Sequence, residues 1–254
     1  MQHPNKGVVC LVVVGHNEEE AVPRVIAGIR EVMASQPHHI IVISDGSTDN
    51  MAEKARQQAD YVIEREHRGL GFSVREGFQY AHDHGFGIII NMDADGQHDP
   101  SVLGRFVPCL QNGSRVVKAT RFHPESMVVG EIPKDRQILN QELAQQISGI
   151  VEYPVTDALC GMFGFKREVL TRLLPHLMFN GYGLCLEKII KLSKLLPDVP
   201  PPREIVHPAI YLRDTTRHME KYSETKAAVA ERMRRLDMHR QHIQTALAYC
   251  ENIA

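Results

Sequence analysis

The sequence predicts an α/β domain with a mostly parallel central sheet flanked by helices. Three observations predict it. Several short runs are almost wholly apolar, where a half-exposed strand would alternate. The first two are each followed by a stretch of helical character, so strands and helices alternate along the chain. Each run also stops abruptly at a cluster of polar residues, as a buried strand does where it delivers the chain to a loop.

Taken in order, Val8 to Val14 forms the first strand and ends at Gly15-His16-Asn17-Glu18-Glu19-Glu20. A helix is expected from Ala21 to Ala34. His39 to Ile43 forms the second strand and ends at Ser44-Asp45-Gly46-Ser47-Thr48-Asp49, with a helix from Asp49 to Gln58. Gly85 to Met92 and Arg115 to Thr120 are expected as central strands. Residues from Phe122 to Pro133 look irregular, a mobile loop over the site. Leu139, Leu143, Ile147 and Ile150 recur at helical spacing, which predicts a helix from Ile138 to Ile150. A further helix runs from Leu186 to Leu196, stopped by Pro197 and Pro200-Pro201-Pro202, and Ile205 to Leu212 reads as a returning strand. After Lys226 the chain reads as one charged amphipathic helix with Val229, Met233, Leu236, Ile243 and Leu247 on its apolar side.

The richest stretch is Asp93-Ala94-Asp95-Gly96-Gln97-His98-Asp99-Pro100, directly after the apolar run Ile88 to Met92. Oxygen ligands from Asp93, Asp95 and Gln97 suit a hard divalent cation, which keeps open positions for water and substrate phosphates. In parallel sheets, ligands gather beyond the carboxyl ends of the strands. Asn17, Glu18, Asp45, Asp93 and Asp95 would converge there. The bland alternatives are an Asp-rich turn at 93–99, an Asx turn at Asp45, and helix-start carboxylates at Glu18 to Glu20.

The ordered set of motifs resembles the family 2 glycosyltransferases of the GT-A fold, and within them the polyprenyl-phosphate sugar synthases. It runs from Asn17-Glu18 through Asp45-Gly46-Ser47, Arg68-Gly69-Leu70-Gly71, Asp93-Ala94-Asp95 and Thr120-Arg121-Phe122. Arg136, Asp157-Ala158-Leu159-Cys160-Gly161, Gly181-Tyr182 with Glu187, and Arg213 follow. The resemblance implies transfer of a hexose from a GDP- or UDP-linked sugar, helped by Mg²⁺ or Mn²⁺ at Asp93, Asp95 and Gln97. It implies nucleotide-sugar contacts from Asn17, Glu18, Asp45, Gly71 and Asp93. Arg121, Arg136 and Arg213 would surround the acceptor phosphate and the leaving diphosphate, a task suited to the guanidinium fork. Asp157 would stand near the acceptor, either orienting groups or deprotonating a hydroxyl acceptor. Lys221, Arg217 and His218 compete for one basic position after Arg213, because the spacing there is stretched.

Composition accords with this class. A chain of 254 residues, 43% hydrophobic, can bury one sizeable core and a small appendage. The expected division is a GT-A domain over 1–222 and a helical extension over 223–254, packing on the domain or on a second copy. A net charge of −2 carries no basic excess for nucleic acid. Five scattered cysteines without a CxxC pair suit reduced thiols and a cytoplasmic setting. No signal peptide and no run of about 18 apolar residues is read, so contact with a lipid acceptor would be peripheral. Two rivals are weaker. A haloacid-dehalogenase-type phosphotransferase would carry its Asp-x-Asp near the N-terminus, whereas here it starts at Asp93. A non-catalytic nucleotide-sugar-binding module would have no need of both Asp93 and Asp95.

Overall fold

A computed structural model describes residues 5–211 and 226–253. Its centre is a seven-stranded sheet in the order β3-β2-β1-β4-β7-β5-β8. The strands are β1 (Val9–Gly15), β2 (His38–Asp45), β3 (Tyr61–Arg65), β4 (Ile88–Asp93), β5 (Val116–Thr120), β7 (Phe163–Lys166) and β8 (Arg203–Val206). Only β7 runs antiparallel to its neighbours β4 and β5, so the sheet is mostly parallel. Its flanking helices are α1 (Val22–Val32), α2 (Met51–Arg56), α3 (Leu70–Asp83), α4 (Leu103–Gln111), α5 (Lys134–Val151), α6 (Arg167–Leu173), α7 (Leu184–Leu195) and α8 (Lys226–Glu251).

The first strand shows why the runs are continuously apolar. Val9, Leu11 and Val13 enter one core with α1, α2 and α4, while Cys10, Val12 and Val14 enter the other with α3 and α5 to α8. Both faces are covered, so no polar alternation is tolerated. β1 sits between β2 on one side and β4 on the other, and all three are parallel. Gly15 is level with Ser44 and Val14 with Asp93, which brings their polar ends to one edge. β5 lies parallel to β4 across β7, so Arg121 emerges at the same edge.

Four sequence expectations need correction. The returning strand is two strands, β8 and β9 (Ala209–Tyr211), broken at His207-Pro208. Proline has no N–H for a ladder, and beyond it the backbone changes sheet. β9 pairs with β6 (Val128–Gly130), so the 122–133 segment is not wholly irregular. The short strand β7, with only four residues, escaped the periodicity reading. The buried stripe of α8 is Leu236, His239, Ile243, Ala246 and Cys250, whereas Val229 and Met233 are exposed. That stripe packs on α7 and α5, with Arg232 ion-paired to Asp135 and Tyr249 Oη 3.1 Å from His176 Nδ1. The boundary expected at residue 223 lies outside the described residues. Among those described, no helix is long and apolar enough to cross a membrane.

Candidate active site

The carboxyl ends of β4 and β5 open into a cavity of about 620 Å³. Asp93, Asp95 and Gln97 line one end. Arg121, Arg136, Leu139 and Tyr211 also line it, and α8 contributes Glu231, Arg234, Arg235, Met238 and His239.

The acidic end is built by the turn after β4. Gly96 takes a φ of 77°, which glycine adopts without strain, and Gln97 N donates to Asp95 Oδ1 at 2.9 Å. Asp93 N donates to His98 Nδ1 at 3.0 Å, so the buried His98 carries its proton on Nε2, 3.7 Å from Cys160 Sγ. Asp93 Oδ1 is buried without a hydrogen-bond partner. Burial, and then the charge of Asp93, push the Asp95 carboxyl up to about 6. A buried carboxylate raised by its neighbour, beside that neighbour's orphaned oxygen, fits a cation shared between the two. Among the described residues no three His, Cys, Asp or Glu side chains form a metal-ligand group. A hard divalent ion held by Asp93, Asp95 and the Gln97 amide would therefore take its remaining ligands from water and substrate phosphate, as Mg²⁺ commonly does.

Behind this turn stands Lys188 of α7, fully buried. Its Nζ donates to Gly161 O at 3.1 Å and lies 4.0 Å above the Phe163 ring, and burial lowers its ammonium to about 8. Asn91 Nδ2 donates to the same carbonyl at 2.9 Å. Gly161 is thereby fixed against the carboxylate of Asp93, and a side chain there would sit 3.5 Å from both of its oxygens. Sequence reading passed over Lys188, because a lysine inside a helical apolar pattern carries no signal of its burial.

Asp157 and Arg121 form the second cluster. Arg121 Nε and Nη2 donate to Asp157 Oδ2 at 2.8 Å and Oδ1 at 3.1 Å, and Arg121 N donates to Oδ2 at 3.0 Å. Asp157 is wholly buried. Burial alone would raise its carboxyl, but Arg121 holds it at about 2. Of the two roles read from the sequence, orienting groups or deprotonating a hydroxyl, this pairing favours the first, because both oxygens are taken and the carboxylate is a weak base. Asn140 Oδ1 in turn accepts from Ala158 N at 3.0 Å, bracing the same loop. Arg136, from the first turn of α5, places its guanidinium 5.6 Å from the Tyr211 ring centre.

The nucleotide-side candidates divide. Asn17 has a φ of 56°, its N donates to Ser47 Oγ at 3.0 Å, and its Oδ1 accepts from Thr48 N at 2.6 Å. It ties the loops after β1 and β2 together. The Glu18 carbonyl starts α1 by accepting from Ala21 N and Val22 N. Asp45 is almost fully buried and accepts from Arg68 N and Gly69 N, both at 2.9 Å, with Arg65 at 2.8 Å. Its carboxylate organises the 65–69 loop. Gly71 N donates to Asn180 O at 2.7 Å, and an added Cβ would lie 2.2 Å from Phe179 O. Glycine at 71 is thus required by the approach of the 179–181 turn, which meets the start of α3 where a nucleotide-sugar contact was expected. Arg213, Arg217, His218 and Lys221 lie outside the described residues.

A profile of glycosyl transferase family 2 matches residues 10–174. The chain belongs to that family. The family 2 chain is 27% identical over 175 residues to the polyprenol monophosphomannose synthase of Mycolicibacterium smegmatis, covering 66% of this chain and 65% of the relative. It is 26% identical over 192 residues to the dolichol-phosphate mannosyltransferase of Pyrococcus furiosus, covering 72% of this chain and 52% of that one. It therefore spans about two thirds and about half of the length of these two relatives. Among solved structures it resembles the glucosyl-3-phosphoglycerate synthase of Mycobacterium tuberculosis in complex with Mn²⁺, uridine diphosphate and glucosyl-3-phosphoglycerate. There the TM-score is 0.64 at 20% identity, covering 96% of this chain and 80% of that one. The fold is GT-A and the protein is a glycosyltransferase.

Proposed function

We propose that this glycosyltransferase moves a hexose from a GDP- or UDP-linked sugar to a phosphate-bearing acceptor of the polyprenyl-phosphate kind. The acceptor would be met at a membrane surface through peripheral contact. Relatives named for polyprenol- and dolichol-phosphate mannosyl transfer support the acceptor class. Neighbours crystallised with Mn²⁺ and UDP-glucose support the donor class and the cation.

The observation that carries the reading is the state of Asp157. In the reaction, an acceptor oxygen forms a bond to the anomeric carbon while the bond to the β-phosphate oxygen breaks, its electron pair leaving on the nucleoside diphosphate. A hydroxyl acceptor must lose a proton during this step, and Asp157, the base the resemblance would offer, is locked to Arg121. A phosphate acceptor is already ionised and needs only positioning and charge compensation. Arg121, held rigidly, and Arg136 offer that in the cavity. At the acidic end, a divalent ion would supply charge neutralisation for the leaving diphosphate. Asp93 and Asp95 would hold it, with Gln97 closing the turn.

The test uses purified protein with Mn²⁺ or Mg²⁺ and a panel of nucleotide sugars. A matching donor raises the melting temperature by linkage. Transfer is then assayed to farnesyl phosphate and to soluble alcohols in parallel. Transfer to farnesyl phosphate that Arg136→Ala severely weakens is the expected result. Transfer to alcohols with farnesyl phosphate ignored would sink the proposal.

A further inference from the structure

The family match ends at residue 174, yet the cavity is also lined by α8, more than fifty residues later in the chain. The acidic end at Asp93 and Asp95 lies within the matched segment. The residues of α8 that line the cavity lie beyond it. On α8, Glu231, Arg235 and His239 follow one another at i, i+4, i+8 and so share a face, and all three line the cavity. Glu231 Oε1 accepts from Arg235 Nε at 3.0 Å, and both Glu231 oxygens accept from Arg234 at 2.9 Å. His239 is 5% exposed and its Nδ1 has no hydrogen-bond partner. Beside them, Met238 and Leu139 give the wall an apolar part.

We infer that α8 forms the far wall of the acceptor subsite, where Arg235 exchanges the Glu231 carboxylate for an anionic oxygen of the acceptor. The inference rests on the phosphate-acceptor reading above and adds the residues that select the acceptor. Glu231 is an internal anion at a site built for an external one. Its pairs to Arg234 and Arg235 are partly solvated i, i+3 and i, i+4 contacts, which cost little to exchange. Met238, Leu139 and Leu159 then meet carbon next to the phosphate. The favoured acceptor is an organic phosphate with an apolar first segment, in preference to a polar phosphate such as glycerol 3-phosphate.

Calorimetric titration of farnesyl phosphate into the full chain, saturated with Mn²⁺ and the nucleotide chosen by thermal shift, tests this. Arg235→Gln is expected to weaken farnesyl phosphate binding roughly tenfold, the worth of one charged hydrogen bond, with nucleotide affinity unchanged. Glu231→Gln, which removes the competing carboxylate, is expected to tighten binding about threefold. Met238→Glu sits at an exposed helical position compatible with folding and is expected to abolish binding. Circular dichroism checks the fold of each variant. Arg235→Gln and Met238→Glu binding like wild type, while Arg136→Ala fails to bind, would overturn the role of α8 and leave the acceptor class standing. Wild-type protein that ignores farnesyl phosphate would overturn both. Glycerol 3-phosphate binding as tightly as farnesyl phosphate would overturn the apolar selection.

Discussion

The two ends of the cavity are made in different ways. The acidic end is made of strand ends: β1 and β4 each stop at the same sheet edge, and register alone sets Asp93 beside the loop of Asn17 and Glu18. The basic side takes Arg121 from the end of β5, and the rest from helices that arrive from distant parts of the sequence, α5 at Lys134 and α8 at Lys226. A strand end fixes position through the ladder, so a two-residue motif suffices to specify chemistry. A helix wall fixes position through side-chain packing, so its chemistry is spread over several elements and no short motif announces it. Changes at the first end should remove reaction; changes at the second should first alter what is accepted.

The largest effect expected on this contrast comes from Asp95→Asn. Turnover should fall by about a hundredfold or more, since the group facing Asp93 loses its charge, and the Mn²⁺-dependent rise in melting temperature should vanish. Full activity of this variant in chelator would break the distinction at its acidic end. Next is Asp157→Asn, which leaves the Arg121 guanidinium unpaired in a buried place. Urea unfolding should show a loss of about 3 kcal/mol or more, the usual consequence of removing one partner of a buried pair. In wild type, kcat/KM should show no inflection from Asp157 above pH 4, because Arg121 holds that carboxyl at about 2. An unchanged unfolding midpoint for the variant, with loss of the acidic limb from its pH profile, would favour the base role instead.

The smallest effect concerns α8. Burial, with the neighbouring His242, lowers the His239 imidazole to about 4. An unfolded chain would protonate it near 6.5. The folded form thus binds fewer protons below that point. Stability is complete above pH 6.5 and falls as pH drops toward 4, by up to about 3 kcal/mol at the lower limit. Thermal melts from pH 7.5 to 4.5 should show this decline, and His239→Gln should flatten it. Identical slopes for the two proteins would show that His239 does not couple α8 to pH.

Much of the strand framework was legible because β1, β2, β4 and β5 are buried on both faces and announce themselves by composition. The acidic turn was legible because Asp93 and Asp95 stand where such a strand stops. Gly71 was misread because Gly-x-Gly before a helix signals close approach without saying of what; here the approaching group is the Asn180 carbonyl. The pairing of Asp157 was not legible because its partner, Arg121, lies 36 residues earlier and no local motif links the two. Lys188 was invisible because its polar head is satisfied by a backbone carbonyl, Gly161 O, which no sequence pattern encodes. The buried stripe of α8 was shifted because Val229 and Met233 look like core residues, while His239 occupies a core position.

The 179–181 turn carries a consequence beyond its own packing. Asn180 O accepts from Gly71 N and Phe72 N, Asn180 Oδ1 from Arg75 Nη2 at 2.6 Å, and Glu187 accepts from Met178 N and Phe179 N at 3.0 Å. Two residues further on, Tyr182 faces the cavity. The turn is thus clamped between α3 and α7 like a bracket between two posts. A methyl group added at Gly71 cannot be absorbed by a flexible side chain, since it meets backbone atoms. It must push the bracket, and with it the tyrosine. A substitution more than a hundred residues away in the chain would therefore be felt as a change in the shape of the cavity, transmitted through the backbone of this turn.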